Sequence, residues 1–166
     1  MTKEDKKNAY LYCKFRDEQF ALYDEYAKCH GMMMKTLLVV NVIFYAKDGL
    51  TQTEICRRTF QSKQTVNLIV KHLLADNYVT VREVPENRRN KMVRMTREGR
   101  AYCEKVVRHI TWAEDTAMSM FTPEEQEQLI DLSRRFTKNL TMLVNQEFGG
   151  KSYENTYHKK HKKQSP

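Results

Sequence analysis

The stretch over residues 49–99 restricts the fold of this chain more than any other. Thr51 and Glu54 stand three apart, as a capping box requires, and open a short helix. Ser62 caps a second helix, on which Val66, Ile69, Val70, Leu73 and Leu74 recur at helical spacing and are expected to face the core. Lys63, Gln64, Asn67 and Lys71 are left on the outer face, with Thr65 near it. Residues 78–84 and 92–95 are rich in strand formers and alternate. The six residues 85–90 between them are too many and too charged for a tight hairpin turn, so a projecting wing is expected, with Arg88 and Arg89 at its tip and Lys91 at its return. A short helix, a turn and a polar-faced second helix form a unit that fits the DNA major groove, and these side chains bond phosphates and base edges. Arginines on such a wing reach the neighbouring minor groove or backbone; without DNA the same segment is simply a solvated loop.

Helices flank this unit on both sides. One long helix is expected before Gly31, with apolar residues in two stripes: Ala9, Tyr12, Phe20, Tyr23 and Ala27, then Leu11, Phe15, Leu22 and Tyr26. Two stripes suit a helix wedged between two partners. Residues 34–46 are apolar nearly all round, as a buried helix is, and Asp48-Gly49 ends them. After the strands, Thr96 opens a long helix with Cys103, Val106, Val107, Ile110, Ala113, Ala117 and Phe121 on its apolar side. Thr122-Pro123-Glu124-Glu125 stops and restarts the chain, and Leu129, Leu132, Phe136, Leu140 and Leu143 then approach a coiled-coil seam. One small protomer has difficulty covering all these stripes, so a homodimer is expected, with its two reading helices about one DNA turn, roughly 34–36 Å, apart.

Charge follows the same division. Of the net +8, residues 51–100 hold +6 and residues 151–166 hold +4, whereas residues 101–150 are −3. Counter-ion release rewards basic charge placed on a DNA-reading unit. The basic tail, residues 149–166, starts Gly-Gly and reads as flexible, adding either non-specific phosphate contacts or solubility. No apolar run reaches the length of a membrane span and the first residues are polar, so a cytoplasmic protein is expected. The four cysteines, Cys13, Cys29, Cys56 and Cys103, form no Cys-x-x-Cys pair, and each is expected as a buried thiol. No phosphate-binding Gly loop, nucleophile elbow or His-Glu-x-x-His occurs, so neither an enzyme, a metal nor a cofactor is indicated.

At these residues the chain resembles the MarR family of bacterial winged-helix regulators. The resemblance covers about residues 8–148 and is most specific in Leu50-Thr-Gln-Thr-Glu-Ile, Ser62-Lys-Gln-Thr-Val, Leu73-Leu-Ala-Asp-Asn-Tyr-Val and Asn87-Arg-Arg-Asn-Lys-Met-Val-Arg-Met-Thr-Arg-Glu-Gly. Asn87 stands where the family usually has Asp, Met95 where it has Leu, and Tyr78 where Gly is common, which leaves Asn77 for the strained turn position. The implied fold is mainly α with a small β-hairpin wing (α+β). It is a single domain over residues 1–148, with a winged helix-turn-helix at about 34–96 and dimerisation helices at about 5–30 and 97–148. The implied function is a homodimeric regulator, often a repressor, of a pseudo-palindromic operator on double-stranded DNA, released by a small aromatic effector. Ser62, Lys63, Gln64, Thr65, Asn67 and Lys71, with Arg88, Arg89 and Lys91, are the implied DNA contacts. The effector cleft would fall among the first, second and fifth helices, near Tyr12, Phe15, Tyr23, His30, Met33 and Trp112. Some members sense oxidants through a cysteine in the first helix, which draws attention to Cys13 beside Lys14 and Arg16. The alternative is a winged-helix architectural or protein-interaction module without ligand response.

Overall fold

The computed structural model describes residues 1–84 and 87–147, and the side chains of these except 84, 87–90 and 147. Its elements run α1 (Lys3–Cys29), α2 (Met34–Phe44), β1 (Leu50–Thr51), α3 (Gln52–Thr59), α4 (Lys63–Ala75), β2 (Val79–Val84), β3 (Asn87–Met95), α5 (Arg97–Ser119) and α6 (Pro123–Glu147). The chain is mostly helical, with one antiparallel sheet in the order β1-β3-β2.

The caps form as their residue types require. The Thr51 hydroxyl accepts the Glu54 N–H at 3.2 Å, and the Glu54 carboxylate accepts the Thr51 N–H at 2.7 Å. Thr122 and Glu125 repeat this reciprocal pairing at the start of α6. Ser62 accepts the Thr65 N–H at 3.1 Å and starts α4. Each bond satisfies a backbone donor that the first turn of a helix cannot satisfy itself.

The core forms around α2. Leu37, Val39, Val40, Ile43 and Phe44 are buried on it, as its apolar composition requires. Ala27 of α1, Ile55 and Cys56 of α3, Val66, Ile69, Val70 and Leu73 of α4, and Cys103, Val106, Val107 and Ile110 of α5 close around it. Val79 and Val93 add the inner face of the sheet. Arg100 reaches back over the end of α2, donating to the Phe44 carbonyl at 3.1 Å with its guanidinium 4.6 Å from the Phe44 ring centre.

Two glycines set how closely the sheet seats on this core. Gly49 has φ +81, and a Cβ there would lie 2.6 Å from the Val93 carbonyl oxygen, so only Gly lets the chain enter β1 against β3. Gly99 in the first turn of α5 lies so near the backbone of Tyr78 that a Cβ would come within 2.0 Å of its carbonyl oxygen. Asn77 takes φ +59 between α4 and β2, the position the sequence assigned to it.

Several expectations need correction. β3 begins at Asn87, not at residue 92, so residues 87–90 expected in a long loop have strand backbone. Val84 pairs with Asn87 while Glu83 pairs with Lys91, which leaves residues 88–90 as an irregularity in the ladder. The two-residue β1 was not anticipated: Leu50 pairs with Val93 and Thr51 with Met92. Helix α2 stops at Phe44. Leu74, counted with the core, is 45% exposed because the core-facing arc of α4 closes with Leu73. Ala117 is exposed on the far half of α5, and Phe121, also exposed, lies beyond its end. Of the four cysteines, Cys56 and Cys103 are buried, Cys13 is half-buried and Cys29 is exposed at the end of α1.

Candidate nucleic-acid interface

Helix α4 presents two adjacent rows of exposed side chains. Lys63, Asn67 and Lys71 form one row at four-residue spacing, and Gln64, Leu68 and His72 form the next. Val66, Ile69, Val70 and Leu73 hold the opposite face in the core, so the outward rows are fixed in direction. Ser62 and Thr65 bond each other through their hydroxyls at 2.8 Å, which places both at the helix start, Thr65 half-buried. Leu68, 54% exposed, was not singled out from the sequence; counting four residues on from Gln64 would have found it.

The first turn of α4 lacks an acidic residue. Helices α1, α3, α5 and α6 each carry an acidic residue in the first turn, where it complements the positive end of the helix dipole. Helices α2 and α4 carry none; α4 has Lys63 there and, unlike α2, a side-chain cap from Ser62. A capped helix end with added cationic charge suits an anionic group such as a phosphate oxygen. The preceding helix ends with the exposed Arg57 and Arg58, which extend the basic surface.

The strands stand beside α4 and are joined firmly to it. The Tyr78 N–H donates to the Leu73 carbonyl at 2.8 Å, the Thr96 N–H to the Tyr78 carbonyl at 3.0 Å, and the Thr96 hydroxyl to the Asn77 carbonyl at 2.7 Å. The Tyr78 and Tyr102 rings stack at 4.4 Å and 12°. On the other side, the Arg94 Nε donates to the Asp48 carbonyl at 2.7 Å and ties β3 to the end of the α2–β1 connection. Lys91 is exposed on β3. The side chains of Arg88 and Arg89 lie outside the described residues, as does the basic tail.

The six side chains anticipated for an effector cleft do not converge. Tyr12 packs its ring 4.3 Å from Phe136 of α6. Phe15 lines a shallow groove on α1 with Glu18, Leu22 and Glu25. The Tyr23 hydroxyl donates to Glu114 of α5 at 2.5 Å; burial first, then this carboxylate, holds the phenol well above its usual range. His30 caps α1 with its ring 4.8 Å from Tyr26, and the exposed Trp112 stacks on His109 at 5.5 Å. Of the six, Met33 lines a half-open cavity. That cavity, about 250 Å³, lies between the α1–α2 turn, α2, α4 and α5. Met32, Met33, Val40, Ile69 and Leu73 form its apolar walls, with Thr36, His72, Asp76, Tyr78 and Tyr102 at its polar edges.

Helices α1 and α6 leave much apolar surface uncovered. Tyr10, Phe15, Phe20 and Leu22 of α1 and Leu132, Met142 and Leu143 of α6 are all more than half exposed. Among the described residues no side chain of α6 is buried. No single helix is long and apolar enough to cross a membrane among the described residues. Nor do three His, Cys, Asp or Glu side chains come together there as metal ligands.

Comparison with known proteins places this arrangement. Residues 35–90 match the model of the MarR family. No curated protein sequence matches the chain. Among solved structures, it superposes on AbsC, a MarR family transcriptional regulator from Streptomyces coelicolor, with TM-score 0.72 at 14% identity, covering 84% of this chain and 96% of that one. MepR from S. aureus in complex with DNA gives 0.66 at 19% identity, covering 80% and 97%. BpsR from Bordetella bronchiseptica, whose DNA binding is regulated by 6-hydroxynicotinic acid, gives 0.62 at 18% identity, covering 78% and 91%.

Proposed function

We propose that this chain, which carries the MarR-family segment over residues 35–90 within a MarR-type winged-helix fold, is a homodimeric, sequence-specific DNA-binding transcriptional regulator. The observation that carries this reading is the outer face of α4. Its first turn lacks an acidic residue, bears Lys63, and continues into rows of Asn67, Lys71 and Gln64. Lys63, Lys71 and Lys91, with Arg88 and Arg89, would hold phosphates and set register; Gln64 and Asn67 have the paired donor and acceptor that read adenine edges. A protein-interaction module would present a continuous apolar face there, whereas exposed Leu68 and Leu74 interrupt an otherwise polar pattern.

The exposed apolar stripes of α1 and α6 support a second copy of this chain as the partner, since contiguous apolar surface of that extent marks an interface. A two-fold dimer presents two α4 helices to an inverted repeat. The protein acts as a repressor by occupying such a repeat and lets go when a small aromatic molecule binds. The cavity between α2, α4 and α5 supports that step because it fits a molecule of about one ring and touches Ile69, His72 and Leu73 on α4 and Asp76 at its C-terminal cap. An occupant there bears on the same helix that faces DNA, through the Tyr78–Tyr102 stack and the Thr96 bonds.

Selection of bound fragments from genomic DNA, followed by anisotropy titration of the best site and its scramble, tests the reading. The expected result is a short inverted repeat held on the order of 10³-fold tighter than the scramble, and weakened by Arg88→Ala with Arg89→Ala. Equal binding of both DNAs would replace regulation with an architectural role.

A further inference from the structure

We infer that Phe60, in the turn between α3 and α4, contacts DNA and reads a thymine methyl group next to the bases faced by α4; the inference rests on the DNA-binding reading above. Phe60 ends α3 at φ 54 and ψ 27, in the left-handed region where Gly is the usual residue. Its ring is 71% exposed. It stacks on no other ring among the described residues. The left-handed turn serves to bury Thr59 and Gln61 on either side, but the large apolar ring it carries is left in water. A solvent-exposed aromatic ring held at a fixed turn beside a basic helix end is suited to contact a partner.

The flanking residues show why Phe60 must face outward. Thr59 is buried and its hydroxyl donates to the Ile55 carbonyl at 2.7 Å. Gln61 is 7% exposed and its Nε2 donates to the Lys35 carbonyl at 2.9 Å, which fastens the turn to the start of α2. Between these two inward residues, the ring of Phe60 is left to solvent. Ser62 then caps α4, so the Cα atoms of Phe60 and Lys63 can be no more than roughly 10–11 Å apart. The ring therefore borders the helix end that would meet DNA. Lys63, Gln64 and Asn67 supply charge and hydrogen bonds there, and Phe60 supplies an apolar group. The apolar feature of the major groove is the thymine C5-methyl.

The test uses the full chain and the site obtained by selection. Phe60→Asn and Phe60→Gly both suit left-handed backbone, and Phe60→Tyr keeps the ring. The expected melting temperatures of the Asn and Gly variants equal or exceed that of the parent, while their affinity for the site falls about tenfold. Phe60→Tyr keeps parental affinity. Replacing thymine by uracil one position at a time should weaken the parent at one position per half-site and leave Phe60→Asn unaffected there. Parental affinity in both the Asn and Gly variants would overturn the inference. So would the lack of any uracil position that separates parent from variant, because the ring would then contact backbone and not a methyl. Failure of the parent to prefer any site is a different result, which removes the DNA-reading function itself.

Discussion

At the scale of single residues, Glu54 shows how a cap couples stability to acid. Burial pushes its carboxyl up, but the hydrogen bonds from Thr51, helped by Arg58 and Arg57, outweigh this and bring it below its ordinary 4.5. A carboxyl with a depressed folded pKa contributes stability that is present above the unfolded value and lost as pH falls through the folded one. Glu54→Gln should therefore cost about 1 kcal/mol at pH 7, and urea midpoints should show the difference shrinking below about pH 4.5. An unchanged difference at pH 3 would mean that the carboxylate charge contributes nothing. Gly99 acts through space instead of charge. Gly99→Ala drives a methyl into the Tyr78 backbone, with an expected loss of about 2–3 kcal/mol by denaturant unfolding. The cysteines divide by burial: the Cys103 thiol is pushed up to about 11, whereas Cys29 is exposed. In native protein a disulfide reagent should label Cys29 quickly and leave Cys103 until unfolding, and Cys29→Ser should remove the fast phase.

At the scale of elements, the sequence located the helices better than the wing. Capping residues at Thr51, Ser62, Thr96 and Thr122 are local signals, and each sits at the helix start it announced. The polar rows of α4 were legible for the same reason: helical spacing alone separates Lys63, Asn67 and Lys71 from Val66, Ile69 and Val70. Strand β1 was not legible, since two residues carry no periodicity and Leu50 is ordered only by pairing with Val93. The start of β3 was missed because Arg88, Arg89 and Asn90 lack strand character and fall at the irregularity between the Val84–Asn87 and Glu83–Lys91 pairs. The cavity beside α4 was not legible because its walls come from turns and helices distant in the chain, which no local pattern brings together. On α4 the two kinds of contact predict different defects. Lys71→Ala should weaken all DNAs alike and lower the salt slope by about one. Asn67→Ala should instead relax choice at one base pair, at about 1–3 kcal/mol, read from a panel of singly altered sites.

At the scale of the whole molecule, the account depends on two protomers. Leu132 and Leu143 lie on the exposed stripe of α6, at 58% and 57% exposure. Leu132→Glu with Leu143→Glu should halve the mass in sedimentation while leaving the helical content unchanged, and DNA binding should fall with it, since one α4 reads only half a repeat. Retention of the parental mass would place the dimer contact elsewhere. The central claim is that the outer face of α4 selects one DNA sequence over others. The most direct measurement is anisotropy titration of the selected inverted repeat against its scramble, at several salt concentrations, with the intact protein. The account predicts a preference on the order of 10³-fold that persists as salt weakens both complexes. Equal affinities that fall together with salt would contradict it.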